Sequence, residues 1–551
     1  MNIMSELFLI DNLSIFVAIF VAFFSVLILI YSIGFMPKKK GLLSYYLYIL
    51  LTCAVSLGAV FANNLILFMV FWGFLGMLLY LLIEFGDKEH TSATAKKAFI
   101  LIGGTDAFML LGLAFIWKLT GTFDINKLSI GLDNRLAVLA YLCLAAGAFA
   151  KAGAMPFHTW VPDVAEDAPT PVTAFLPASL DKLLGIYFLA RISLNVFRMD
   201  AGMNTFLMVV GSVTIIAAIM MALIQNDLQR LLGYSTVSQV GYMILGIGTG
   251  NPIGIAGGLF HMLNNAIYKS CLFLCGGVVE KKTGTTDLAK LGGLAKAMPV
   301  TFIAFLIASF SISGVPPFNG FASKWMIYQG VIESGKSGNH LWLLWLIAAM
   351  VGSALTLASF MKLIHAVFLG QPCREARTQK KQEAGPAMLL PVVVLAFLCV
   401  LFGVFVYQIP LKMFIAPALN LDAGFSFSGV WQASLATGMI LGGLIIGALI
   451  YFLGTVRHLR ETESFVGGED IKLHPDMRVS GTAFYNTIEE YGILRAIYTL
   501  AKKKVFDVYE VGTRLTFGFN RALRTIHNGV LPTYLSWCLL GMLFLFYCLL
   551  K

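Results

Sequence analysis

An all-α bundle that crosses a bilayer about fourteen times is the fold this sequence predicts, and three observations predict it. The chain has 551 residues, of which 58% are hydrophobic and only 12% charged, with mean hydropathy +0.82. A soluble protein carries about twice that charged fraction. The apolar residues fall into blocks of about 20, the length that crosses a hydrocarbon core. The basic residues gather in alternate loops. A large soluble core would need a polar shell, and none accompanies this one.

The blocks run over 7–36, 42–62, 65–85, 97–118, 135–160, 170–192, 204–225, 231–249, 254–280, 298–333, 341–369, 387–410, 430–455 and 531–550. The first lacks a basic leader and a small-residue cleavage site, so it reads as a retained span. Lys38, Lys39 and Lys40 follow the first block, and Lys88, Lys96 and Lys97 the third. Lys281, Lys282, Lys290 and Lys296 follow the ninth. Arg374, Arg377, Lys380 and Lys381 follow the eleventh, and Arg457 and Arg460 the thirteenth. All these loops fall on one side of the bundle, which the positive-inside rule makes cytoplasmic, with both termini outside. The net charge of +10 is therefore a membrane-topology signal. Its partner is the lipid bilayer, not nucleic acid.

The eight cysteines are scattered. Only Cys271 and Cys275 lie close, inside an apolar block, and no spacing resembles a zinc or iron–sulfur site. The sequence predicts no metal and no redox cofactor on this chain. Residues 457–530 are polar, and from about Thr482 they alternate Leu494, Ile497, Tyr498, Val505, Val508 and Tyr509 with Lys502, Lys503, Lys504, Arg514, Arg521 and Arg524. That pattern predicts an amphipathic helix lying on the cytoplasmic face.

Two long blocks are interrupted by proline. The fifth contains Lys151-Ala-Gly-Ala-Met-Pro156-Phe-His158, and the tenth Gly314-Val-Pro316-Pro317-Phe-Asn319-Gly320, then Lys324. Matching interruptions point to two inverted repeats around a midplane ion path. Blocks two to six and seven to eleven give five helices each, and an odd number of crossings inverts the second copy. The resulting organisation is an N-terminal span (1–41), a first repeat (42–192), a second repeat (204–369), two further spans (387–455), a loop with the amphipathic helix (456–530) and a last span (531–551).

Several side chains are costly where they sit. A lysine at the bilayer centre costs about 2.5–3.5 kcal/mol on insertion scales, and such residues mark pathways. Lys151, Lys182, Lys269 and Lys324 all lie in apolar blocks. Lysine can exchange its proton when burial and nearby charges change, which arginine cannot. Snorkelling to the interface is the alternative for Lys182 and Lys324, and a charge-compensated structural pair is the alternative throughout. His261, Asn265 and Lys269 recur every four residues and share a helix face. Lys362 and His365 form a further pair near the cytoplasmic end, readable as a relay or as an anchor. Among acids, Asp106 and Asp181 lie inside blocks four and six. Asp163, Glu166 and Asp167 fall in a loop before Pro169, and Asp227 with Arg230 reads as a structural pair. Asp181 and Lys182 point about 100° apart on a helix and do not pair with each other.

The run from Ala150 through Lys151, Pro156, His158, Trp160 and Asp163 to Pro169-Thr-Pro171-Val-Thr-Ala174 resembles the signature of the antiporter-like subunits of respiratory complex I, shared with Mrp-type cation/proton antiporters and membrane-bound hydrogenases. Asp227-Leu-Gln-Arg230 through Ser235, Gln239 and Tyr242, and His261 through Lys269, fit the same family. The resemblance implies two inverted five-helix repeats, each with a broken helix, and a C-terminal segment similar to the lateral helix of the large distal subunit. It implies proton-path roles for Lys151, His261, Lys269 and Lys324 along a hydrated axis. Iron–sulfur, flavin or nickel–iron centres would then lie on peripheral redox subunits, beside other membrane subunits.

Three departures qualify it. The first span is similar to the family's third, which leaves two N-terminal helices without a counterpart. The family's glutamate after the tryptophan of block three is Gly73, after Trp72, and a histidine usual in block six is Pro177. Asp181 is the expected substitute, as partner of Lys151 or Lys182. Three functions are to be separated: part of a redox-driven proton pump, part of a Na⁺/H⁺ antiporter, or a scaffold that has lost pumping.

Overall fold

Every predicted block coincides with helix in the structure, a computed structural model that describes residues 7–37, 39–336, 338–371, 383–421, 433–453 and 481–550. In chain order the helices are α1 (Asn12–Phe35), α2 (Leu42–Phe61), α3 (Leu65–Ile83), α4 (Thr91–Thr120), α5 (Arg135–Ala152), α6 (Trp160–Asp167) and α7 (Thr170–Val196). There follow α8 (Ala201–Leu223), α9 (Leu228–Gly248), α10 (Pro252–Thr283), α11 (Pro299–Ser313), α12 (Asn319–Lys336) and α13 (Trp342–Leu369). Then come α14 (Pro386–Val404), α15 (Ala433–Leu453), α16 (Gly492–Lys502), α17 (Val508–Ile526) and α18 (Leu531–Leu549). Eleven of them are long and apolar enough to cross a membrane. The three remaining predicted spans fall on the polar α9, the short α11 and α15.

Local chemistry sets the helix starts. Asp11 and Ser14 close a reciprocal capping box on α1, and Asn64, Asn134, Asp200, Asp227 and Asn251 cap α3, α5, α8, α9 and α10. Each satisfies backbone N–H groups that the helix itself cannot reach. α7 and α10 are surrounded by other helices along their whole membrane-length windows. These are the helices that carry Asp181, Lys182, His261 and Lys269, so their polar side chains face protein and not lipid.

The two five-helix sets share local details. Asn64 pairs in a β-bridge with Asp124, and Asp227 with Asp287. Each bridge ties the start of one helix (α3 or α9) to the loop after the next (α4 or α10). The loops read Thr120-Gly-Thr-Phe-Asp124-Ile-Asn-Lys127 and Thr283-Gly-Thr-Thr-Asp287-Leu-Ala-Lys290. In both, the first threonine hydroxyl donates to the carbonyl of the second, Thr122 or Thr285, and the aspartate pairs with the lysine three residues on. The two halves also break alike. α5 ends on Gly153 (φ 74°) and α11 on Gly314 (φ 80°), a left-handed conformation that favours glycine. Space adds a second constraint: a Cβ on Gly153 would lie 2.5 Å from Val161 and 3.0 Å from Lys182 Nζ, and one on Gly314 would lie 3.1 Å from Lys324 Cδ.

Some expectations change. Asp163, Glu166 and Asp167 are not in a loop. They lie on α6, the short helix that follows the first break. The amphipathic segment is two helices, α16 and α17, separated by residues 503–507, where Lys504 takes φ 55°. With α18 these belong to a separate compact unit, residues 490–551. Lys38, the basic loop 374–381, Arg457 and Arg460 lie outside the described residues.

Candidate proton-path site

In the first half the site is an ion pair beside an aromatic plate. Lys151, on the last turn of α5, and Asp181, on α7, are both buried, with Nζ and Oδ1 3.7 Å apart. Asp181 follows a π turn over Leu176–Leu180 that contains Pro177. Proline cannot donate to the ladder, and the wider turn accommodates its ring. The Lys151 ammonium also lies 5.4 Å over the Trp72 ring, whose Nε1–H donates to Asp106 Oδ1 at 3.0 Å. Trp72 thus stands between a cation and a half-buried carboxylate from α4. Gly73 lies on the exposed side of α3, with nothing within 4 Å of where its Cβ would be. The acids near Lys151 come from α4 and α7 instead.

Lys182 is fully buried, so it does not snorkel. Its Nζ lies 5.6 Å over the Trp160 ring and has no hydrogen-bond partner among the described residues. From there the polar row passes to α10. Asn265 Nδ2 donates to Ala178 O at 3.4 Å, within the π turn of α7, and Lys269 is in electrostatic reach of both Lys182 and Lys324.

Among the described residues, Lys269 and Lys324 of the second half have no such ion pair. Lys269 Nζ donates to Leu232 O at 3.1 Å and to the Ser235 hydroxyl, and it lies 5.3 Å over the Phe360 ring. Lys324, on α12, donates to Ile312 O at 2.8 Å and lies 4.7 Å over the Tyr242 ring. It too is buried. Lys151, Lys182, Lys269 and Lys324 therefore each sit on an aromatic face, an arrangement worth about 2 kcal/mol when desolvated. Asn264 Nδ2 donates to the backbone carbonyl of Asn319 and Asn319 Nδ2 to Asn264 Oδ1, both at 2.9 Å, which locks α10 to the second break. His261 faces Gln239, Ser323 and Tyr268.

The remaining predicted residues sit apart from this row. His365 is half-buried on the π turn that ends α13, its ring 5.1 Å from that of Phe484. Lys362 donates to Leu223 O at 3.0 Å and Gln225 O at 2.8 Å, which closes the C-terminal end of α8. Arg191 is its counterpart at the end of the first set. It binds Asp11 and the Tyr187 hydroxyl, which in turn donates to Val60 O near the end of α2. The Lys362 contacts tie α13 to the end of α8. Asp227 accepts from the backbone N–H of Arg230 at 2.9 Å, so its contact is a cap and not a side-chain pair. The Arg230 guanidinium instead binds Glu166 and lies 3.4 Å from Asp163, which also accepts from Lys97 at 2.8 Å. The α6 acids are therefore clamped between α4 and α9.

Gln239, Ser235, Ser323, Tyr268 and Trp72 carry the second layer of this site, and no role follows for them from sequence alone. The signal was present in part: Ser323 adjoins Lys324, and Gln239 lies within the Asp227–Tyr242 signature. Outside the membrane segments, Asp124 is held below the ordinary carboxylate range by its hydrogen bond from Lys127, against the upward push of its partial burial.

Residues 62–356 match the family described as NADH:quinone oxidoreductase/Mrp antiporter, transmembrane. Residues 4–46 match the N-terminus of complex I chain 5. The A1 component of a Na⁺/H⁺ antiporter from Staphylococcus haemolyticus is 32% identical over 474 residues, covering 80% of this chain and 59% of its own length. The corresponding Na⁺/H⁺ antiporter component of Alkalihalophilus pseudofirmus is 30% identical over 522 residues, covering 88% and 65%. The chain thus spans about three fifths of the curated relatives it matches. Among solved structures, a chain of the membrane-bound sulfane sulfur reductase, an archaeal respiratory complex, aligns with TM-score 0.80 at 24% identity, over 98% of this chain and 89% of that one. A chain of the Dietzia Mrp complex aligns with TM-score 0.68 at 23% identity, over 78% and 86%. Both share the fold.

Proposed function

Because the chain belongs to the NADH:quinone oxidoreductase/Mrp antiporter transmembrane family, we propose that it is the proton-translocating membrane subunit of a redox-driven assembly of the complex I or membrane-bound hydrogenase kind. The observation that carries this reading is the row of ionisable groups from the half-buried Asp106 and the buried Lys151–Asp181 pair through Lys182 and Lys269 to Lys324 and His261. A proton placed anywhere on that row changes the field felt by the next lysine. Lateral coupling of this sort lets a charge movement in a neighbouring subunit drive uptake and release here. The segments 42–192 and 204–369 would act as two half-channels that meet near Lys182 and Lys269. The redox centres would belong to peripheral partners. The chain would lie in a prokaryotic cytoplasmic membrane with its N-terminus outside.

The near end-to-end alignment with the respiratory complex chain favours the redox assembly. The Na⁺/H⁺ antiporter names of the curated relatives favour a second reading, an Mrp-type secondary transporter. Affinity purification of the tagged chain from its native membrane separates them. Iron–sulfur or nickel-containing partners are expected, and a complex of small membrane subunits alone would establish the antiporter reading. In proteoliposomes, the Lys151→Ala, Lys269→Ala double variant should keep redox turnover and lose proton uptake. Normal proton yield in that variant would make the chain a scaffold.

A further inference from the structure

His261 lies between two groups that can each exchange a donor for an acceptor. Its Nε2 is 3.1 Å from Gln239 Oε1 and 3.3 Å from the Tyr268 hydroxyl, and its Nδ1 is 2.9 Å from the Ser323 hydroxyl. Ser323 Oγ is also 3.2 Å from Gly320 O. His261, Gln239 and Ser323 are all fully buried, so bulk water does not complete their hydrogen bonds.

Two arrangements that give both ring nitrogens a partner follow from this geometry. With the Gln239 carbonyl toward the ring, only a protonated Nε2 can bond to it. Nδ1 is then a lone pair, and the Ser323 hydroxyl donates to it. With the Gln239 amide turned over, its NH₂ donates to Nε2. The ring proton then sits on Nδ1 and is donated to Ser323 Oγ, whose own hydrogen turns to Gly320 O. Which end of an amide faces a ring is an assigned property, and here neither end is fixed from behind. Gln239 Nε2 has no hydrogen-bond partner among the described residues when the carbonyl faces the histidine. An orphaned buried donor costs about 1–3 kcal/mol. Turning the amide relieves that donor but turns the carbonyl away from the ring and Tyr268, so each orientation has a defect of the same kind.

We infer that Gln239 and Ser323 are positioning residues that select which ring nitrogen of His261 holds the proton, making His261 a two-state relay. The relay role rests on the proton-path reading above. One proton enters at one ring nitrogen and one leaves from the other. The ring returns to neutral in the opposite tautomer, and the Gln239 amide and the Ser323 hydroxyl turn to match it; the first tautomer returns only when the ring takes up a proton at the nitrogen that gave one up and releases the other. Ser323 adjoins Lys324, and Gln239 and Tyr268 lie on the opposite side of the ring. The two nitrogens therefore face different helices, Nδ1 toward α12 and Nε2 toward α9 and the following turns of α10.

The two sides should fail in opposite directions. Ser323→Ala removes the partner of Nδ1. A bare lone pair is cheaper to leave than a bare N–H, so the proton is pinned on Nε2. Gln239→Leu leaves Nε2 only the Tyr268 hydroxyl and removes that hydroxyl's other acceptor among the described residues, Gln239 Oε1 at 3.5 Å, so the hydroxyl donates to Nε2 and the ring proton is held on Nδ1. Ser323→Thr retains the hydroxyl and both arrangements. The test is ¹⁵N spectroscopy of ring-labelled histidine in the intact complex, with the His261 signal identified by its loss in His261→Gln, run alongside proton uptake in proteoliposomes. The expected result is opposite tautomers in Ser323→Ala and Gln239→Leu, uptake lowered at least about ten-fold in both, and near-normal behaviour in Ser323→Thr. The same tautomer in both variants overturns the inference, and so does pinning without loss of uptake. If the unaltered complex takes up no protons, the proton-path reading fails and with it the relay role. The spectra still decide the tautomer selection.

Discussion

Lys151 and Lys269 are equally buried and each lies on an aromatic face, yet they are held in opposite ways. Lys151 has a carboxylate partner in Asp181 and a second carboxylate, Asp106, behind Trp72. Among the described residues Lys269 has a carbonyl and a hydroxyl as its hydrogen-bond partners, and Lys324 a carbonyl. Asp181 is the one acid among the described buried side chains of the unit that ends at Glu489. The first half is thus a compensated pair, whereas the second half meets an added charge with dipoles alone. A charge arriving in the second half is felt through repulsion along Lys182, Lys269 and Lys324. In the first half it is felt as the opening or closing of one ion pair.

Breaking the compensated pair gives the largest expected effect. Asp181→Asn leaves Lys151 buried beside a neutral amide, and removal of one member of a buried pair costs about 3–5 kcal/mol. The assembled complex should unfold at a markedly lower temperature and lose proton uptake. Lys269→Met leaves no opposite charge behind, and Leu232 O keeps the Ser235 and Thr236 hydroxyls as donors, so uptake should fall while stability stays within about 1 kcal/mol. Thermal unfolding of both variants in the same detergent checks the contrast. Equal destabilisation would erase the distinction between the halves.

Part of this contrast was legible in the sequence. The glycine after Trp72 and the Asp181-Lys182 dipeptide already suggested that an acid had moved from one helix to another, because an uncompensated lysine in a span is costly. The broken helices were legible from Pro156 and Pro317, since proline cannot continue a hydrogen-bonded ladder. The Asn64–Asp124 and Asp227–Asp287 bridges were not read, although the two Thr-Gly-Thr-x-Asp loops are visibly alike. Their residues look like ordinary turn formers, and only the fold shows that each loop returns to the start of the preceding helix. The loop expected for the acids on α6 follows from Pro169-Thr-Pro171, which reads as loop punctuation, yet the helix ends just before it. Pro162 lies in the first turn of that helix, where a missing N–H is harmless. Hydrogen-bond partners such as Ser323 depend on side chains meeting across helices, which no local pattern encodes.

The anchoring lysine tests whether the halves differ in structure as well as in charge. Lys362 ties α13 to the end of α8, while Arg191 reaches α2 only through Tyr187. Lys362→Met should leave carbonyls 223 and 225 without their cation and cost about 1–3 kcal/mol. Proton uptake per assembled complex should be unchanged. A loss of uptake at normal stability would place Lys362 in the relay.

The smallest effect is expected at the paired loops, where the halves are most alike. Asp124 accepts from Asn64 at 3.0 Å and from Lys127 at 2.8 Å, whereas the Asp287–Lys290 pair is 3.8 Å apart. Asp124→Asn should therefore lower stability by about 0.2–1 kcal/mol, and Asp287→Asn by less. The sign of the pH dependence follows from the depressed carboxyl of Asp124. Its contribution is complete above the ordinary aspartate value of about 3.9 and fades as pH falls through the lower folded value. The gap between Asp124→Asn and the unaltered chain should thus be the same at pH 7 and pH 5, and shrink only in stronger acid. A larger cost at Asp287 would mean that the second loop, despite its longer ion pair, bears more of the tie between its helices than the first.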